Sequence, residues 1–194
     1  MMIDRPRQHV RKKQIQQLVG DLHTQLKKNG EFQAPIPVEK LAREMNAQVV
    51  QVETEDDDLS GFLFRDPATG KSVIGVNKDH SKTRQRFTIA HEIGHLILHS
   101  FEDLHYDRKG SGGIFKRSAE SATGENRDEV EANFFAAELL MPEELIYDKL
   151  EDIEISDIFQ RNIDAAIRTI AKDFNVSTHA LSIRMAQLGI VSIE

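Results

Sequence analysis

The chain has 194 residues, a net charge of −7 and no cysteine. Its length suits one compact domain, or one with a small appendage; the missing thiols exclude disulfides, thiolate zinc sites, iron–sulfur ligation and a cysteine nucleophile, and fit a reducing compartment. The acidic balance argues against a whole-protein embrace of nucleic acid, no apolar run approaches the roughly 20 residues of a membrane span, and charges at Asp4, Arg5, Arg7 and Arg11 stand where a signal peptide needs an apolar stretch, so the expected location is the cytoplasm.

The N-terminus departs from this balance. Residues 1–30 hold seven Lys/Arg against two Asp, about +5, leaving about −12 for the remainder. Such an arm can meet a phosphate backbone or an acidic partner, but is more often a solvated helix face. Over residues 10–28, Ile15, Leu18, Val19, Leu22 and Leu26 repeat with helical period, and Asn29-Gly30 ends the run. Pro35-Ile36-Pro37 introduces a short helix over 38–45, and residues 47–52, 61–64 and 72–76 read as strands. Asp66-Pro67-Ala68-Thr69-Gly70 is a turn that makes the last two an antiparallel hairpin. The acidic run at 55–58 lacks the spaced oxygens of a calcium loop and reads as a solvated turn.

Helical period returns over 81–99. Residues 100–126 show no period and read either as a lid or substrate-binding strand or as a surface excursion. Residues 128–140 are helical again, with Val130, Phe134, Ala137 and Leu140 as the expected buried face and Pro142 closing the run. Helices are expected over 143–150 and 163–173, followed by a last one ending at Leu188. The final pair is helix-turn-helix-like, but Lys172 and Arg184 are few bases for DNA contact, so packing is the favoured reading. Helices, a few strands, then helices indicate an α+β fold.

The chemistry concentrates at His91-Glu92-Ile93-Gly94-His95. Histidines at i and i+4 stack on one helix face and can reach one metal ion. Glu92 lies about 100° around the helix, where a carboxylate can accept a proton from water without ligating. Imidazoles without thiolates suit zinc, with manganese, cobalt and iron as alternatives. Glu129 and Asn133, again i and i+4, can supply a third ligand and a hydrogen-bond partner for a ligand imidazole, whereas Glu131 should point elsewhere as surface charge. His99 reads as a surface or core histidine, with a cleft role as the alternative. For an oxyanion stabiliser the candidates are His105, Tyr106, His179 and Arg184, none preferred.

The run Arg86-Phe87-Thr88-Ile89-Ala90-His91-Glu92-Ile93-Gly94-His95-Leu96-Ile97-Leu98-His99, with Glu129-Val130-Glu131-Ala132-Asn133 and Glu138-Leu139-Leu140-Met141-Pro142, resembles the ImmA/IrrE family of metallopeptidases over about residues 30–190. The resemblance implies a zincin-like, gluzincin-type zinc site in a helical domain with a small antiparallel sheet. It also implies His91, His95 and Glu129 as zinc ligands, Glu92 as general base, and cleavage of helix-turn-helix transcriptional repressors in mobile elements or stress responses. Longer relatives carry a C-terminal sensory domain, which this chain is expected to lack. The expected organisation is a basic N-terminal helix over 1–30, a zinc metallopeptidase core over 31–150 and a helix-turn-helix-like segment over 151–194. A non-proteolytic regulator that binds a repressor or DNA is the competing function, and an intact Glu92 favours the enzyme.

Overall fold

A computed structural model describes residues 5–56, 58–66, 68–99, 104–108, 124–151 and 163–191, the side chains of 5–10, 106–108 and 124–126 excepted. Among them the helices are α1 (Arg5–Lys28), α2 (Val38–Glu44), α3 (Lys82–Leu98), α4 (Gly124–Leu140), α5 (Glu143–Glu151), α6 (Ile163–Phe174) and α7 (Thr178–Gln187); the strands are β1 (Ala47–Val52), β2 (Leu59–Arg65), β3 (Ser72–Asn77) and β4 (Leu104–Arg108). The mixture is α+β, as expected. None of the described helices is long and apolar enough to cross a membrane.

The sheet order is β1-β3-β2-β4. The β2–β3 hairpin is antiparallel, with Phe64 opposite Val73 and Leu63 opposite Ile74. The expectation of a wholly antiparallel sheet is corrected at β1, which runs parallel to β3. Two successive chain reversals restore the direction of β1 by β3, and β3 then inserts between β1 and β2. A second correction concerns the aperiodic stretch 100–126: residues 104–108 form β4, antiparallel to β2, with a register shift between Leu59 and Gly61. The rest of that stretch up to residue 123, and with it the lid reading, lies outside the described residues.

Helix α3 packs on β2 and β3, and α4 packs on α3. Gly61 and Gly94 permit these two approaches. A Cβ on Gly61 would stand 2.5 Å from both the Gly75 carbonyl oxygen and Thr88 Cγ2, and one on Gly94 would stand 3.2 Å from the Ala132 Cα. One hydrophobic cluster then runs from Ile15 and Val19 through Ile74, Ile93 and Phe135 to Leu181 and Met185. The expected buried face of α4 holds at Ala137 and Leu140 but not at Val130, and Phe134 is only partly buried. Val130 is 58 % exposed, whereas Ala132, Phe135, Ala136 and Leu139 are fully buried. Contact with α3 on one side and α1 on another selects small residues at the crossings.

The basic N-terminal helix packs Ile15, Val19 and Leu26 into the core and leaves Lys12, Lys13, Lys27 and Lys28 exposed, and some of its cations meet side chains of α4 and α5. Arg11 Nε donates to Glu131 Oε2 at 2.9 Å, the Lys12 ammonium sits 5.3 Å from the Phe134 ring centre, and Lys27 Nζ pairs with Glu144 at 2.5 Å. Glu131, expected as free surface charge, is thus an ion-pair partner.

At the other end, Asn175 adopts φ 51° after α6 and Ser177 caps α7 by accepting from the Ala180 amide. Arg184, one of the unpreferred oxyanion candidates and one of the few bases in the last two helices, is 2 % exposed. Its Nη1 and Nη2 donate to the two Glu138 oxygens, both at 2.7 Å, and its Nε donates to the Met141 carbonyl at 3.1 Å. Gln16 Nε2 adds a 3.1 Å bond to Glu138, so one carboxylate ties α1, α4 and α7 together. Replacing Arg184 by Met strands a buried carboxylate and is expected to cost about 3–5 kcal/mol in urea unfolding, most of it recovered when Glu138 becomes Leu in the same chain.

Candidate metal centre

Helix α3 starts cleanly because Ser81 accepts a hydrogen bond from the Arg84 amide. Two turns later the helix is buried nearly all round, and His91, Glu92 and His95 are 1 %, 0 % and 2 % exposed. The crossing at Gly94 brings Glu129 of α4 over the two imidazoles. His91 Nε2 lies 3.0 Å from His95 Nε2 and 3.4 Å from Glu129 Oε2, and His95 Nε2 lies 3.2 Å from Glu129 Oε1. Ligands about 2.0–2.1 Å from a tetrahedral ion are separated by about 3.3 Å. The three side chains meet that spacing without rearrangement, and their ligand atoms all fall within 4.8 Å of one another.

Polar bonding fits the same ion. His91 Nδ1 is 3.1 Å from Asn133 Oδ1. An imidazole donating there carries its proton on Nδ1 and leaves the Nε2 lone pair for a cation. Both oxygens of Glu92 and Oε2 of Glu129 are buried without a hydrogen-bond partner, an arrangement that is costly unless a cation and a water or substrate complete it. Burial would raise the Glu129 carboxyl, but contacts with His105, His91 and His95 outweigh it and hold the group below the usual carboxylate range. Burial lowers the His95 imidazole, favouring the neutral form that a metal requires.

Of the three oxyanion candidates whose side chains are described, His105 alone joins this group. It hangs from β4 with Nε2 3.0 Å from Glu129 Oε1 and Nδ1 3.6 Å from Glu92 Oε2, its ring centre 3.9 Å from that of His95. Burial works against its protonation, and Glu129 and Glu92 outweigh burial to carry it to about 10. Arg184 is committed to Glu138, His179 is exposed on α7, and the Tyr106 side chain lies outside the described residues. His105 could not be singled out from sequence, because β4 has no periodicity to reveal which residue faces the helix.

Around this cage stands a second layer. His99 is not a surface histidine, its side chain being 8 % exposed: its ring centre is 5.3 Å from that of His95, Nε2 reaches the Asp128 carbonyl at 3.1 Å and Nδ1 is 3.4 Å from Asp128 Oδ1. Arg11 completes the layer, donating through Nη2 to the Leu98 carbonyl at 3.2 Å and through Nε to Glu131, so α1 bridges the last turn of α3 and the first turns of α4.

Comparison with known proteins agrees with this picture. Residues 42–186 match the IrrE N-terminal-like domain, a peptidase family. The chain is 40 % identical over 80 residues to the radiation response metalloprotease IrrE of Deinococcus radiodurans, covering 41 % of this chain and 22 % of that protein. It is 27 % identical over 130 residues to the metallopeptidase ImmA of Bacillus subtilis, covering 67 % of this chain and 64 % of that one. The aligned regions thus span less than two thirds of either relative. If Glu129 completes the cage, elemental analysis will find about one zinc per wild-type chain and a small fraction of that in Glu129→Ala; undiminished zinc in the variant would move the third ligand elsewhere.

Proposed function

Because the chain belongs to the IrrE N-terminal-like peptidase family, we propose that it is a zinc-dependent endopeptidase whose substrate is a helix-turn-helix transcriptional repressor. In this reading it is a cytoplasmic regulator of gene expression in a mobile element or stress response. The observation that carries the enzymatic part is the buried His91–His95–Glu129 cage with Glu92, a buried carboxylate whose oxygens accept no hydrogen bond, beside it. We read the helices and sheet around it as a zincin-like, gluzincin-type core. The repressor rests on the family resemblance.

Each side chain then has one task. His91, His95 and Glu129 hold the ion, and Asn133 keeps the His91 imidazole in the tautomer that exposes Nε2. A zinc ion held by these three residues would supply Lewis acidity for the scissile carbonyl and a water whose pKa falls toward about 7. Glu92 takes the proton from the attacking water and returns it to the nitrogen of the departing amine. Its burial and its free oxygens suit a group whose partner is the reacting water rather than another side chain. His105 presents an N–H to the oxygen that becomes negative during attack. β4 ends the sheet, so its outer backbone edge is open to an extended peptide among the described residues.

The competing reading, a non-proteolytic module that binds a repressor or DNA, loses three candidate bases: Arg184 faces Glu138, and Arg11 and Lys27 are paired within the chain. Glu92→Gln is expected to keep zinc at the wild-type level while repressor cleavage falls by about 100-fold or more; wild-type cleavage would remove Glu92 as the base. His105→Ala is expected to lower kcat about 100-fold with little change in KM, as for loss of a donor that acts in the transition state. A fall confined to substrate binding would assign His105 to peptide recognition instead.

A further inference from the structure

The far edge of the sheet holds a second polar cleft, unrelated to the metal cage. It has a volume of about 560 Å³ and lies between α2, β1 and the first half of α3. Such a volume is within the usual range of about 300–1,000 Å³ for small-molecule sites. Its apolar lining includes Val49, Val76 and Ile89, and its charged lining comprises Arg43, Lys82 and Arg86 against one carboxylate, Glu39. Three cations to one anion is the reverse of the balance in a chain of net charge −7.

Arg86 is the informative member. It is 8 % exposed, and a guanidinium so buried normally spends its five donors on fixed partners. Here Nη2 donates to the Ile36 carbonyl at 2.8 Å, but Nη1 stands 3.8 Å from Glu39 Oε2, beyond hydrogen-bond reach, and Nε is buried with no partner at all. Glu39 is half-exposed and is a poor counter-charge at that distance. Gln85 cannot help, because its amide nitrogen already serves the carbonyls of Asn77, Lys78 and His80 and its oxygen accepts from Lys82. The buried charge therefore lacks the bidentate acceptor that guanidinium geometry favours. Arg43, exposed on α2, offers a second guanidinium to the same space.

We propose that this cleft binds a small anionic molecule, whose carboxylate or phosphate group pairs with Arg86 and Arg43 while its apolar part rests on Val49, Val76 and Ile89. Neither the metal cage nor the peptidase reading is needed for this site, so the two stand or fall separately. Arg86 precedes His91 by five residues, about 7.5 Å along the axis of α3. A ligand there would grip the helix that carries both histidines.

Benzoate, phenyl phosphate and inorganic phosphate, each titrated into the full chain and followed by calorimetry, test the proposal. The expected result is saturable one-to-one binding of benzoate or phenyl phosphate, tighter than that of inorganic phosphate. The tighter of the two organic probes identifies the anion class. Arg43→Glu, an exposed substitution that leaves the buried arginine in place, is expected to weaken that binding at least tenfold, and Arg86→Met to abolish it. Because Arg86→Met also removes the bond to Ile36, Arg43→Glu carries the decision if that variant does not fold. No saturable binding of any probe, or affinity unmoved by Arg43→Glu, would overturn the proposal.

Discussion

The close crossing of α3 and α4 is the constraint on which the rest of the molecule depends. With glycine at position 94, the backbone of α4 comes near enough for Ala132 to touch α3, and Glu129, one turn earlier on α4, then reaches over His91 and His95. A side chain at 94 would push the helices apart by part of an ångström, comparable to the tolerance of a metal cage. The surrounding packing serves this crossing. The sheet supports α3 from below, Gly61 lets β2 approach it, and α1 straddles both helices through Arg11.

Electrostatics follow the same plan. A carboxylate, Glu129, is held ionised inside the core by surrounding imidazoles, and another, Glu138, accepts hydrogen bonds from both terminal nitrogens of Arg184 and from Gln16. Among the buried carboxylates of the described residues, only Glu92 is left without a hydrogen-bond partner for both its oxygens. Burying a carboxylate without a partner is unfavourable for folding, and the place where a protein tolerates that cost is where chemistry requires an available base.

What could be read from the sequence depended on how local the signal was. His91, Glu92 and His95 were readable because one turn of helix puts them side by side, and Glu129 because Asn133 repeats the same spacing. The direction of β1 was not readable, since a short valine-rich strand looks alike whether its partner runs parallel or antiparallel. β4 was missed because Leu104-His105-Tyr106-Asp107-Arg108 is a polar end strand, held by pairing with β2 rather than by burial on two faces. Arg184 looked like a surface base because its counter-charge, Glu138, is 46 residues away. Val130 and Phe134 were misplaced because apolar size was taken to mark the buried face, whereas two helix neighbours at close range select alanine there.

The ligand side chains are also far apart along the chain. Between His95 and Glu129 lie β4 and the start of α4, so a cation gripped by both acts as a cross-link closing a long loop. Binding confined to the native state would add about 1.4 kcal/mol for each tenfold excess of free ion over its dissociation constant. Metal supply would then govern how long the protein persists as well as whether it can react: a cell short of the ion would lose the chain to unfolding and turnover, and not merely hold it idle.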